Sequence, residues 1–131
     1  MCSIALDPKI VLEGDYTQEK AYILVKELLS REKKITAIFC ANDLMAFGAL
    51  KAIKERGKRV PEDISVVGFD DMDMSSYIDP PLTTVRQPFV EIGKKAVEIL
   101  LKQIEGGINR TKRYNLSGKF ILRKSVGKPK N

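Results

Sequence analysis

Apolar and polar positions along the chain fall into blocks with two different periods. Ile10-Val11-Leu12, within Lys9 to Glu13, is a short apolar run stopped by Gly14-Asp15, and it predicts a strand. From Gln18 to Arg31, Ala21, Tyr22, Val25, Leu28 and Leu29 recur at helical spacing. The run from Ile35 to Cys40 is apolar and rich in β-branched residues, as expected of a strand covered on both faces. A second helix is predicted from Asn42-Asp43, either of which can cap it, to Gly57. Ile64 to Phe69 reads as another buried strand, with Pro61 upstream barring a helix from running into it. Thr83-Thr84-Val85-Arg86 is a shorter one. From Phe89 the period is helical again: Phe89, Ile92, Gly93, Ala96, Val97, Leu100, Leu101 and Ile104 share one face, and Gly106-Gly107 ends it. Phe120-Ile121-Leu122 predicts a last strand before a polar tail.

Strands alternating with helices at this spacing imply βαβ units with right-handed crossovers. The expected fold class is therefore α/β: a Rossmann-like, open and mainly parallel sheet flanked by helices. The second helix carries an unusual signal. Leu44 to Leu50 is apolar without interruption. Met45, Ala49, Ala52 and Ile53 can cover the sheet, which leaves Leu44, Phe47 and Gly48 pointing elsewhere. That face is expected either to meet another subunit or to lie under a neighbouring segment.

Composition narrows the chemistry. The chain has 131 residues, enough for one compact domain, with 31% charged and 44% hydrophobic residues. No apolar run approaches the roughly 20 residues of a membrane span. The start, Met1 to Pro8, lacks the basic and apolar regions of a secretory signal, so a cytoplasmic location is expected. Two cysteines, Cys2 and Cys40, do not make a disulfide framework. The absence of histidine removes Ser-His-Asp and Cys-His catalysis and most zinc sites. The motifs of dinucleotide, phosphate-loop and serine-hydrolase sites are absent too. No catalytic residue, metal or cofactor is expected, and the chain reads as a binding protein rather than an enzyme. The net charge of +6 is read as a solvated surface with a basic tail.

Open α/β sheets bind ligands outside the carboxyl ends of their strands. Polar residues collect at those ends: Asp15-Tyr16, Asn42-Asp43, Asp70-Asp71 and Arg86-Gln87. Carboxylates, amides and an aromatic ring together suit a polyhydroxylated or heterocyclic small molecule. Taken singly, Asp15, Asn42, Asp43 and Asp71 are explained as caps or turn formers, Tyr16 as core rim, and Gln87 says little. Asp70 resists that explanation, because Asp71 can take the capping duty. The same acidic and Thr84/Arg86 side chains could instead build a Mg²⁺-dependent phosphoryl-accepting site, but the acidic pair and lysine such a site needs are not in the expected places.

Three long motifs carry a family resemblance. They are Thr36-Ala37-Ile38-Phe39-Cys40-Ala41-Asn42-Asp43-Leu44-Met45-Ala46-Phe47-Gly48-Ala49, Val60 to Asp71 (VPEDISVVGFDD) and Pro80 to Pro88 (PPLTTVRQP). In this order they resemble the lactose/galactose-repressor family of transcription regulators, whose core is similar to periplasmic sugar-binding proteins. Ala21 departs from the glycine the family often has there. The resemblance implies a second lobe of a periplasmic-binding-protein-like fold over residues 1–87. It assigns 88–119, a helix and a strand near Arg113 to Ser117, to the other lobe, and 120–131 to the final strand and basic tail. It implies a small-molecule effector, a sugar or a related molecule, contacted by Tyr16, Asn42, Asp70 and Gln87. It also implies a homodimer through Leu44, Phe47, Gly48 and Ile78, the last within the loop Ser75 to Asp79. DNA would be met only through a helix-turn-helix head outside this chain. A sugar-binding protein of a transport system is the alternative.

Overall fold

The computed structural model describes residues 7–32, 34–106 and 113–128. Cys2 and the chain start lie outside the described residues. Helix α1 spans Gln18–Arg31, strand β1 Ala37–Phe39, helix α2 Asp43–Glu55 and strand β2 Ser65–Val67. A short 3-10 turn at Asp73–Ser76 precedes strand β3, Thr84–Arg86. Helix α3, Phe89–Ile104, and strand β4, Lys119–Ile121, complete the order.

The sheet is open and mainly parallel. Strands β1 and β2 pair in parallel, with Ile38 opposite Val66, and the pairing runs on through the Cys40 N–H to the Val67 carbonyl. A parallel bridge joins Val67 to Thr83, and β3 pairs antiparallel with β4, Val85 opposite Phe120. Helix caps explain where α1 and α2 begin. The Thr17 hydroxyl accepts from the Lys20 N–H, and Asn42 Oδ1 accepts from the Met45 N–H at 2.8 Å. Gly57, at φ +68, closes α2 in the left-handed region. The core is Val25, Cys40, Ala46, Ala49, Ala52, Ile53, Ile64, Val66 and Leu82.

Four expectations need correction. The segment Lys9 to Glu13 is not a strand: Pro8–Ile10 forms a 3-10 turn held by the Asp7 carboxylate on the Lys9 N–H. What remains, Val11 to Asp15, is unpaired, and a strand needs a ladder partner. Strand β1 is not covered on both faces, since Phe39 is 68% exposed. Residues 113–118 form no strand and pair with no described segment. Gly48 does not point outward. It is fully buried against α1, where an added Cβ would stand 2.1 Å from the Gln18 carbonyl oxygen. The apolar surround of α2 is thus partly an intrachain helix crossing.

Helix α3 keeps its amphipathic pattern but buries no residue; Phe89, Val97, Leu100, Leu101 and Ile104 are all exposed. Among the described residues no helix is long and apolar enough to cross a membrane.

Candidate functional site

The strand ends form two groups joined by a buried carboxylate. In the first, Asn42 Nδ2 donates to the Tyr16 carbonyl at 3.0 Å, while its Oδ1 is used by the α2 cap. Tyr16 itself is 67% exposed. Asp15 beside it is spent on the turn: its Oδ1 accepts from the Thr17 N–H and hydroxyl, and those bonds hold its carboxyl below the ordinary range.

In the second group, Gln87 Nε2 donates to Asp70 Oδ1. Asp70 and Gln87 line a cleft of about 570 Å³ with Asp71, Arg86 and the start of α3. Asp71, which the sequence offers as a cap or turn former, caps no described helix. Its side chain, 3% exposed, accepts from Arg86 Nε on one oxygen and from an Arg123 guanidinium nitrogen on the other at 2.6 Å. Burial is the largest influence and pushes this carboxyl up, but hydrogen bonds and charge from Arg123 and Arg86 together hold it below 3.8. The phosphoryl-accepting arrangement is therefore not formed, because Asp71 and Asp15 are committed to other partners.

A carboxyl held low in the folded state stabilises the fold above its unfolded value and loses that contribution as pH falls through the folded value. Asp71→Asn should therefore flatten the loss of urea stability as pH falls below about 5. Equal acid slopes in the two proteins would remove Asp71 from this role.

Backbone strain concentrates at the same ends. Among the described residues, the non-glycine positions with positive φ are Tyr16 (66°), Asp70 (124°) and Asp71 (59°). Aspartate tolerates the left-handed region, but a tyrosine there and an aspartate at 124° are uncommon, each costing on the order of 1–3 kcal/mol. Such strain persists where surrounding structure holds it, and it gathers at ligand sites.

The link between the groups is Asp43, which is 0% exposed. Asn42 takes the capping duty and frees Asp43 for three donors: the Met72 N–H at 2.8 Å, the Ser75 hydroxyl at 2.6 Å and the Thr84 hydroxyl at 2.6 Å. Asp43 and Arg123 are the residues the sequence pattern hid, one read as a cap and the other as part of the basic tail. The signal for Arg123 was its place directly after an apolar strand.

An apolar cavity of about 380 Å³ lies elsewhere, between β1, α1 and the Ile10-Val11-Leu12 segment. Among the described residues no charged side chain lines it. The Cys40 thiol on its wall is pushed up to about 12, by burial first and by the Asp43 charge second, so it stays protonated.

Leu44 is exposed, while Phe47 and Ile78 are half-buried against the core. Exposed Met72, Met74 and Tyr77 extend the apolar surface beside them.

Residues 3–126 match the family model described as a periplasmic binding protein-like domain. The HTH-type transcriptional repressor PurR of Haemophilus influenzae is 42% identical over 126 residues, which cover 94% of this chain and 38% of that protein. The chain thus spans less than two-fifths of that relative's length. Among solved structures, the transcriptional regulator CelR in complex with cellobiose matches with a TM-score of 0.88 and 34% identity, over 93% of this chain and 37% of that one. The lac repressor dimer bound to operator and the anti-inducer ONPF matches at 0.78 and 38% identity, over 86% and 39%. The chain belongs to the periplasmic binding protein-like domain family and is similar to part of these transcriptional repressors and regulators.

Proposed function

We propose that this chain supplies one wall of an effector pocket and a dimer face to a LacI-type transcriptional regulator. The effector is a sugar or a related polyhydroxylated molecule. The observation that carries this reading is Asp70, held at φ 124° with Oδ1 on Gln87, at the edge of an open cleft. That leaves Oδ2 to accept from a ligand hydroxyl. Asn42 keeps one N–H and one lone pair, and the exposed Tyr16 ring offers an apolar face. The cellobiose in the CelR complex supports the sugar class.

In this reading residues 1–87 and 120–131 form one lobe, and 88–119 belong with a lobe outside the chain, which accounts for the uncovered face of α3. Leu44, Phe47 and Ile78, with Tyr77, form the homodimer contact, a reading supported by the lac repressor dimer. The role is binding, not catalysis; the regulator works in the cytoplasm and meets DNA through a head outside this chain.

Titration of the ¹⁵N-labelled chain with cellobiose tests the pocket. Millimolar sugar should move the amide signals of Tyr16, Asn42, Asp70 and Gln87 in a saturable way, and Asp70→Asn should abolish this. The same samples should sediment as a concentration-dependent dimer. Unmoved signals with cellobiose, glucose and ribose alike would overturn the pocket; a monomer at millimolar concentration would overturn the dimer face.

A further inference from the structure

We infer that the cleft between β3 and the start of α3 carries an anion subsite, formed by Arg86 and Lys119, that takes a carboxylate or phosphate group of the effector. This deepens the effector reading above and rests on it. Arg86 and Lys119 both line that cleft, together with Asp70 and Gln87. They are partners in the β3–β4 register, so their side chains leave the sheet on one face. Strand β4 can approach this closely because residue 118 is glycine: an added Cβ there would stand 3.0 Å from the Arg86 carbonyl oxygen.

Ion pairing within the chain does not account for the two charges. Arg86 Nε donates to one oxygen of Asp71, but Arg123 holds the other oxygen of the same carboxylate at 2.6 Å. One negative charge thus faces two guanidinium groups. The Arg123 side chain is 17% exposed and that of Arg86 57%, so the surplus is displayed at Arg86. Among the described residues, the terminal nitrogens of Arg86 and the Lys119 ammonium have no partner, and Glu91, on the same cleft, pairs with neither. A lone lysine on an edge strand is explained as protection of that edge. That explanation does not cover an arginine placed opposite it, because like charges facing each other on a ladder are destabilising. An anion between the two removes the repulsion. Arg86, fixed by its bond to Asp71, offers N–H groups in one plane, and the lysine adds a point charge. In the same cleft of about 570 Å³, Asp70 Oδ2 remains for a hydroxyl. Acceptor and cations together fit a hydroxylated ligand that carries negative charge.

Titrations of the ¹⁵N-labelled chain with glucose, glucuronate and glucose 6-phosphate, at one low ionic strength, test the subsite. At least one of the two acids should saturate the Asp70 and Gln87 signals at about one-tenth of the concentration that glucose needs. Raising the salt should shrink that difference. Lys119→Gln, at an exposed position without an ion pair, should cut the preference to about threefold or less. Lys124→Gln, exposed and outside the cleft, should leave it in place. Inorganic phosphate alone should move the Arg86 Nε–H and Lys119 amide signals in a saturable way, and Lys124 far less. Acids that bind no tighter than glucose, equal effects of the two lysine variants, or phosphate shifts spread evenly over the surface lysines would each sink the inference. The two readings fail separately. Silence with glucose and cellobiose, beside saturable phosphate shifts at Arg86 and Lys119, removes the polyhydroxylated effector and keeps the subsite. Neutral and acidic sugars binding alike, with phosphate silent, does the reverse.

Discussion

Asp43→Ala is expected to lower the stability of the chain by about 3–5 kcal/mol, the cost of stranding buried donors. The substitution removes a fully buried carboxylate that accepts from Met72, Ser75 and Thr84. It leaves those donors facing one another without water, each at a cost of about 1–3 kcal/mol. Partial relaxation of the 72–76 turn recovers some of this, which keeps the total below the simple sum. Asp43→Asn should fall between the two, since one oxygen remains to accept while its amide meets donors. Urea unfolding followed by far-UV circular dichroism measures the difference. A loss under about 1 kcal/mol for the alanine variant would mean the donors find other partners, and the carboxylate would not be what holds the turn.

Gly48→Ala should cost about 2–3 kcal/mol. Helix propensity alone favours alanine over glycine by about 1 kcal/mol, so a loss reports the crossing of α1 and α2. The added Cβ would meet the Gln18 carbonyl oxygen at 2.1 Å and the Tyr22 nitrogen at 2.9 Å, and both are backbone atoms of a helix that cannot swing aside singly. Gly93→Ala in α3 is the matched control, because nothing lies within 4 Å of its added Cβ. It should leave stability unchanged or raise it by up to about 1 kcal/mol. Equal effects at the two glycines in a thermal melt would refute the close approach.

These sites also mark where the sequence could be read and where it could not. The three helices were legible from their period, and α2 also from its ends, Asn42 before it and Gly57 after it. The strand around Val66 was legible from apolar content, and the shorter one around Val85 from its β-branched residues. Strand formation at Ile10-Val11-Leu12 and at 113–117 was not, because a strand is a property of two segments and local pattern describes one. Asn42 and Asp43 are equal as caps on paper. Which of them caps was decided by Ser75 and Thr84, donors 32 and 41 residues away from Asp43. Gly48 looked like part of an outer face because helical periodicity says which way a residue points but not what stands there. The strand-end cluster was foreseen as one set, whereas the structure holds Tyr16 with Asn42 and Asp70 with Gln87, each pair by its own hydrogen bond.

The segment after the last strand carries a consequence for how the chain is made. Ser125 donates to the Val66 carbonyl, accepts from the Thr83 N–H, and its own carbonyl takes the Val66 N–H. It therefore stitches together two strands that leave the ribosome well before it does, 59 residues before in the case of Val66. Until that serine and Arg123 have cleared the exit tunnel, β2 and β3 have open edges and Asp71 lacks one of its arginines. The nascent chain must wait with most of its helices made and its sheet unsealed, a window in which a chaperone has something to hold.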